Sequence, residues 1–200
     1  MANDRLSFLK SQLKFPQSIH NRPKWNLVLE QIGRLEKHST VLDVGFGHPF
    51  LSDFVGQDYD IYCIDVEPEF LRNLDPEHFR YGNVEERIPF ENNKFDCVVM
   101  LEVIEHLANV DNAYQEIKRV LKPRGVLLMS TPNYSFFSAL LWQVIEATYF
   151  RIFGKGYKNI GEHHINRYSK SRLSSELKQY FDRVEIRVFG YTLGLFAICR

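Results

Sequence analysis

The sequence predicts a doubly wound α/β domain, in which a mostly parallel sheet carries helices on both faces and ends in an antiparallel hairpin. Strand-like and helix-like segments alternate from about residue 24 to residue 180. The segment FDCVVML at 95–101 is an almost continuous apolar run, which is typical of a parallel strand covered on both faces. Two further apolar runs, VEIRVFG and TLGLFAICR, flank a Gly190-Tyr191 turn and predict the hairpin.

Local patterns justify the elements in chain order. Apolar residues at helical spacing predict helices at 24–38 and 110–121, and Ser169 is the expected N-cap of a helix at 169–180. Pro123 and Gly125 are expected to end the second of these helices. Strands are predicted at 40–44, 60–65, 78–82, 95–101 and 125–131, and shorter helices at 49–55 and 67–74.

Composition limits the function classes. A chain of 200 residues with 44% hydrophobic residues fits one domain, predicted as 1–200 with an N-terminal helical cap at 1–38. The formal net charge of +0 argues against a broad nucleic-acid surface. Three cysteines without CxxC spacing, and no signal-peptide pattern at the N-terminus, predict buried thiols in a cytoplasmic protein. The oligomeric state is left open.

The turn VLDVGFGHPF at 41–50 is the first candidate binding site. Gly45 and Gly47 lie between a predicted strand and a predicted helix, and glycine at these positions lets the backbone approach a ligand closely. Asp65 ends the next strand about twenty residues later, which is where a nucleotide-binding sheet places the acid that holds ribose hydroxyls. The spacing therefore predicts a nucleotide-type ligand at the carboxyl ends of these strands.

The same turn argues against a dinucleotide. The stretch GFGHPF does not complete the GxGxxG pattern, because Phe50 occupies the sixth position. A pyrophosphate needs several backbone N–H groups at a helix N-terminus, and Pro49 removes one of them. A ligand without phosphate depends less on that N–H group, so Pro49 weakens its binding less. Proline is also well tolerated in the first turn of a helix. A nicotinamide dehydrogenase is therefore disfavoured.

Four segments, in order, give the chain a specific resemblance: VLDVGFG, CIDVEP, YGNVEERIPFENNKFDCVVMLEVIEHL and KRVLKPRGVLLMSTPN. Together they resemble class I S-adenosylmethionine-dependent methyltransferases over roughly residues 38–200. The resemblance implies a seven-stranded Rossmann-like methyltransferase sheet and S-adenosylmethionine as cofactor. The cofactor-binding residues that it implies are Asp43, Gly45, Gly47, Asp65, Val66, Asn83, Val84, Leu101 and Glu102.

The stretch EVIEHL at 102–107 is the candidate catalytic motif. If a helix begins here, Glu102, Glu105 and His106 project from one face and offer part of a shell for Mg²⁺ or Mn²⁺. The E-x-x-E-H pattern resembles the metal site of ubiquinone-pathway and small-RNA 2′-O-methyltransferases, and by that resemblance His164, four residues before Tyr168-Ser169, is the later ligand in preference to His163. Glu105, His106 and His164 are the expected catalytic residues. A metal-free role for His106 as a base or pocket wall, and a purely structural role, stay open.

The acceptor is expected to meet an aromatic segment inserted at 134–161. Its apolar part, 134–153, is expected either to pack on the domain as a lid or to cover a hydrophobic acceptor and contact a membrane surface. These features predict O-methylation of a small-molecule, lipid-linked or glycan acceptor. The alternative is a non-catalytic member of the fold that binds cofactor or a partner.

Overall fold

A computed structural model describes residues 17–46, 50–71, 74–135, 138, 140, 144, 164–190 and 193–200 of the chain. Within these ranges seven strands form one sheet, in the spatial order β3-β2-β1-β4-β5-β7-β6. The strands are β1 Thr40–Val44, β2 Asp60–Asp65, β3 Phe79–Tyr81, β4 Phe95–Leu101, β5 Leu121–Pro132, β6 Val184–Phe189 and β7 Gly194–Cys199. The first five are parallel, and β7 lies antiparallel between β5 and β6. The predicted fold class is confirmed.

The described helices lie between the strands, as predicted. They are α1 Gln17–Ile32, α2 Phe50–Val55, α3 Pro68–Leu71, α4 Val110–Val120 and α5 Lys170–Leu177, with 3-10 turns at Gly56–Asp58 and Ile104–His106. Ser169 caps α5, because its hydroxyl accepts a hydrogen bond from the Arg172 backbone N–H. The division into a cap at 1–38 and an insertion at 134–161 stays a prediction, since most of the insertion lies outside the described residues.

Several helix ends differ from the prediction, among them the end of the helix predicted at 169–180, which lies at Leu177. The first long helix ends at Ile32 rather than at residue 38. The helix α4 ends at Val120, before Pro123 and Gly125 are reached, because Leu121 is already extended and pairs with Phe95 of β4. Pro123 and Gly125 lie instead in the irregular first part of β5, and the helix ends one residue before the predicted end at 121.

Apolar side chains cover both faces of the sheet. On one face α4 and α5 pack on Leu42, Val98 and Leu127, and on the other α1 packs on Val41, Cys97 and Val99. All three cysteines are buried free thiols, as predicted. No helix among the described residues has the length and apolar character needed to cross a membrane. The strand β4, apolar on both faces, is therefore held at the centre of the domain with its carboxyl end at the functional edge.

Candidate functional site

A pocket of about 680 Å³ opens at the carboxyl ends of β1, β2 and β4. This is the edge at which open α/β sheets bind ligands, and the volume is that of an ordinary small-molecule site. The residues that line it are Val44, Gly45, Asp65, Val66, Glu67, Tyr81, Gly82, Asn83, Val84, Glu85, Glu102, Val103, His106 and Leu107. Six of the nine cofactor-binding residues expected from the sequence are among them: Gly45, Asp65, Val66, Asn83, Val84 and Glu102.

Gly45 forms the wall of the pocket that follows β1. Its φ is +69°, in the left-handed region, and its N–H donates to the Ile64 carbonyl at 2.9 Å. A Cβ at this position would come to 2.5 Å from Cγ2 of Val103. Glycine is required here both by backbone conformation and by space, which agrees with the role expected from the sequence. Its partner Gly47 lies outside the described residues, as do His48 and Pro49.

The pocket wall is acidic. Carboxylates of Asp65, Glu67, Glu85 and Glu102 line it, and none of the described lining residues is a lysine or an arginine. Asp65 is 6% exposed and accepts a hydrogen bond from the Glu67 N–H at 2.9 Å, which fixes its side chain at the end of β2. This charge pattern repels a pyrophosphate and suits a ligand with hydroxyl groups and positive charge.

The loop after β3 forms the opposite wall. The Asn83 side chain accepts from the Glu85 N–H, and Val84 is buried. Asn112 of α4 fixes this loop, since its side-chain amide donates to the carbonyls of Glu85 at 2.6 Å and Glu86 at 2.8 Å. Sequence reasoning missed Asn112, because an asparagine on the polar side of a helix stripe gives no local sign of a long-range contact.

Glu102 differs from its expected geometry. It has φ +56° and precedes the 3-10 turn, so it does not share a helical face with Glu105 and His106. Its carboxylate accepts a hydrogen bond from the Ser130 hydroxyl and lies 3.5 Å from the ammonium group of Lys24. Lys24 belongs to α1 and is almost fully buried. Glu102 is therefore a pocket residue paired with a lysine, and the helix expected at residue 102 was wrong.

Three of the four expected metal ligands come together. Ligand atoms of Glu105, His106 and His164 all lie within 4.8 Å of one another, and Glu102 is outside this group. The two imidazole rings have centroids 4.7 Å apart in an edge-to-face arrangement. The preference for His164 agrees with this geometry, while His163 lies outside the described residues. The set joins the turn after β4 to a segment nearly sixty residues later.

Glu105 is the buried member of this cluster. It is 1% exposed, and the Thr131 hydroxyl donates to its Oε2 at 3.0 Å. Burial, reinforced by the charge of Glu102, raises its pKa to about 8. A carboxyl with this pKa holds its proton at neutral pH and can exchange it within the physiological range.

His164 is oriented by the strand that precedes the insertion. A hydrogen bond joins its Nδ1 to the Tyr134 hydroxyl, two residues beyond β5. The segments themselves are paired, through a bridge between Asn133 and Tyr168 and a 2.7 Å hydrogen bond from the Tyr134 N–H to the Tyr168 carbonyl. The sheet thus holds His164 beside the turn although residues 107–163 separate the two in sequence.

Two expected cofactor residues do not line the pocket. Leu101 packs against the apolar layer beside α1. Asp43 is 6% exposed on the same face of β1 as Val41, and burial, reinforced by the charge of Asp65, raises its pKa to about 7. Neither places its side chain on the wall as expected, because the alternation along a strand points both into a layer of the core.

Comparison with known proteins gives a consistent result. Residues 42–129 match the family model described as a methyltransferase domain. A probable S-adenosylmethionine-dependent methyltransferase of Mycolicibacterium smegmatis is 36% identical over 106 residues, which are 49% of this chain and 40% of that protein. A ubiquinone biosynthesis O-methyltransferase of Rickettsia bellii is 29% identical over 161 residues, which are 74% of this chain and 61% of that protein. The chain therefore spans about half the length of these curated relatives.

Solved structures share the fold along nearly the whole chain. A SAM-dependent methyltransferase from Aquifex aeolicus superposes with a TM-score of 0.62 at 23% identity, covering 97% of this chain and 98% of that one. One from Archaeoglobus fulgidus gives 0.63 at 17% identity, covering 91% and 77%. At these identities the likeness establishes the fold.

Proposed function

We propose that this chain is a class I S-adenosylmethionine-dependent methyltransferase, which binds S-adenosylmethionine in the pocket at the carboxyl ends of β1, β2 and β4 and methylates an oxygen of a second substrate. The curated relatives named as ubiquinone biosynthesis O-methyltransferases support oxygen as the accepting atom. The acceptor is proposed to be a small molecule, a lipid-linked molecule or a glycan.

The residues present fit this cofactor. Gly45 leaves backbone where a side chain would fill the space toward Val103, and Asp65 offers a fixed carboxylate for the ribose hydroxyls. Asn83 and Val84 supply the wall for the adenine, and the acidic lining suits a ligand that carries a sulfonium. When bound, the cofactor supplies a methyl group on an excellent leaving group.

One observation carries the proposal: His106 lines the pocket and also belongs to the Glu105–His106–His164 cluster. The cofactor site and the cluster of proton-accepting groups therefore meet at one side chain. An acceptor hydroxyl placed there would lie beside two imidazoles, either of which can take its proton, and beside the Glu105 carboxyl. The pocket would also align the two reactants. In well-oriented systems such alignment lowers the activation free energy by up to about 7–11 kcal/mol.

We also propose that the cluster binds a divalent cation, with Glu105, His106 and His164 as ligands. Of the two ions expected from the sequence, the donor set favours Mn²⁺, because two imidazoles and one carboxylate suit a transition ion better than Mg²⁺, which prefers oxygen ligands. Tyr134 would orient the His164 ring through Nδ1, as partners of metal-binding histidines commonly do. Glu102 has its own lysine partner and is left out of the proposed ligand set.

The cation is tested by titrating Mn²⁺ into the metal-free protein and following the signal of free Mn²⁺ by electron paramagnetic resonance. We expect one equivalent to bind, and His164→Ala to weaken binding by about 10- to 100-fold. The matched control is His38→Asn at an exposed histidine with φ +64°, a conformation that asparagine tolerates. Equal Mn²⁺ affinity in all three proteins, or full methyl transfer in EDTA, contradicts the cation proposal.

The cofactor is tested by calorimetry with S-adenosylmethionine, S-adenosylhomocysteine and NAD⁺. We expect the first two to bind and NAD⁺ to give no signal. Asp65→Asn should weaken binding by about 10- to 100-fold, since hydrogen bonds to a charged group contribute about 1.5–3 kcal/mol. Asp111→Asn is the matched control, because Asp111 lies on α4 outside the pocket and bonds to the Tyr180 hydroxyl.

Turnover separates the enzyme from the alternative function. The protein is incubated with labelled S-adenosylmethionine and panels of phenols, isoprenoid-linked phenols and glycans, and S-adenosylhomocysteine formation is measured. Transfer to an oxygen of one panel supports the proposal. Binding of the cofactor without transfer to any panel favours the non-catalytic alternative, and absence of binding removes the proposed cofactor altogether.

A further inference from the structure

We propose that Asn166 is a positioning residue that holds the 3-10 turn carrying Glu105 and His106 at a fixed distance from His164. The inference rests on the proposed function for its significance, since the cluster matters through the reaction assigned to it. The hydrogen bonds that Asn166 forms carry the geometric part of the inference.

Asn166 donates three hydrogen bonds to the turn. Its backbone N–H reaches the Glu105 carbonyl at 2.9 Å, and its side-chain amide reaches the carbonyls of Leu107 at 2.7 Å and Ile104 at 3.3 Å. Inside the turn the Ile104 carbonyl accepts one long bond, from the Leu107 N–H at 3.4 Å, and the carbonyls at the end of a single 3-10 turn need donors from elsewhere. Asn166 supplies a donor to each of the three.

The same residue stands between His164 and the sheet. His164 lies two positions before it, and Tyr168, which pairs with Asn133 and accepts from the Tyr134 N–H, lies two positions after it. The segment 164–168 is thus attached to β5 at one end and to the turn at its middle. Because the ligand atoms of the cluster come from both sides of this attachment, Asn166 sets their separation.

An amide is the side chain that this position requires. Aspartate has nearly the same shape but offers acceptors in place of the two Nδ2 donors, and would direct a carboxylate toward the carbonyls of Ile104 and Leu107. Alanine removes the side-chain bonds and keeps the backbone one. Asn166→Asp is therefore expected to separate the two segments further than Asn166→Ala does.

The distance is tested by NMR on the full chain, labelled with ¹⁵N at histidine and without any added ligand. In the unmodified protein the His106 and His164 rings, with centroids 4.7 Å apart, should show a nuclear Overhauser effect between their ring protons. His106→Gln and His164→Gln assign the signals. We expect Asn166→Asp to abolish the effect and Asn166→Ala to weaken it at least twofold.

The matched control is Ser169→Ala, which removes the cap of α5 and lowers stability without touching the turn. It should keep the ring-to-ring effect, so a general loss of stability does not imitate the result. S-adenosylmethionine affinity, measured on the same samples, reports the proposed function separately: its absence in the unmodified protein counts against the cofactor and leaves the ring distance readable. An undiminished effect in both Asn166 variants overturns the proposal, and if Asn166→Asp does not fold, Asn166→Ala decides.

Discussion

Replacement of Gly45 by alanine is expected to abolish measurable S-adenosylmethionine binding and to lower the free energy of unfolding by about 2–5 kcal/mol. Two costs combine. A residue with a Cβ at φ +69° costs about 1–2 kcal/mol, and the Cβ would press on Cγ2 of Val103 at 2.5 Å, where overpacking adds about 1–3 kcal/mol. Because Val103 lines the pocket, any relief of this contact moves the binding wall.

Two controls separate the costs. Gly33→Ala places a Cβ at 3.2 Å from the Leu29 carbonyl, at the end of α1 and away from the pocket, and is expected to leave binding unchanged. The double variant Gly45→Ala with Val103→Ala removes the steric contact and keeps the backbone cost, so it should recover part of the lost stability. Urea denaturation and calorimetry measure both quantities. Binding of the cofactor by Gly45→Ala at the unmodified affinity contradicts the role assigned to Gly45.

The fold could be predicted because each strand and helix has its own local hydrophobic pattern and these patterns alternate along the chain. The strand at 95–101 is apolar on both faces, and the structure places it at the centre of the sheet with its predicted bounds unchanged. The strands at 40–44 and 60–65 also keep their bounds; Gly45 follows the first, Asp65 ends the second, and both line the pocket as expected. A parallel sheet brings such strand ends to one edge, so the place of the site followed from the fold.

The geometry of the catalytic turn could not be read in the same way. The spacing of Glu102, Glu105 and His106 fits a helical face, but Glu102 adopts φ +56° and takes Lys24 as its partner. That lysine lies 78 positions earlier in the chain, and no local pattern reports it. The same holds for Asn166, whose three acceptors lie about sixty positions away. Polar pairs between residues far apart in the sequence determine the geometry of the site. The hydrophobic periodicity of the sequence gives no information about such pairs.

For Asp43 the sequence identifies the correct motif but predicts the wrong surroundings for the side chain. Asp43 stands in the glycine-rich motif, yet its carboxyl is enclosed in the layer that α1 covers. Among the described residues no donor forms a hydrogen bond to it, and burial is the first cause of its raised pKa. The motif identifies the residue, whereas only the structure shows that its charge is costly to the folded state.

Asp43→Asn is expected to stabilise the folded protein at pH 8 relative to the unmodified protein. The folded pKa of Asp43, about 7, exceeds the ordinary value of 3.8, so the folded state binds the proton more tightly than the unfolded state. Stability from this group is present at acidic pH and is lost as pH rises from about 4 to about 7. Asparagine has the same shape and no charge, so its advantage should grow by roughly 2–3 kcal/mol between pH 5 and pH 8.

Asp96→Asn provides a control of opposite sign. Hydrogen bonds from Lys122 and Thr40 hold the pKa of Asp96 below its ordinary value despite the opposing effect of burial, so its charge stabilises the folded state above pH 4. Removing that charge should lower stability at pH 8, while removing the charge of Asp43 raises it. Urea denaturation of both variants at pH 5 and pH 8 measures the difference. A loss of stability in Asp43→Asn at pH 8 would show that the folded protein uses the Asp43 charge, whereas a gain means that this motif keeps a carboxyl that destabilises the folded state.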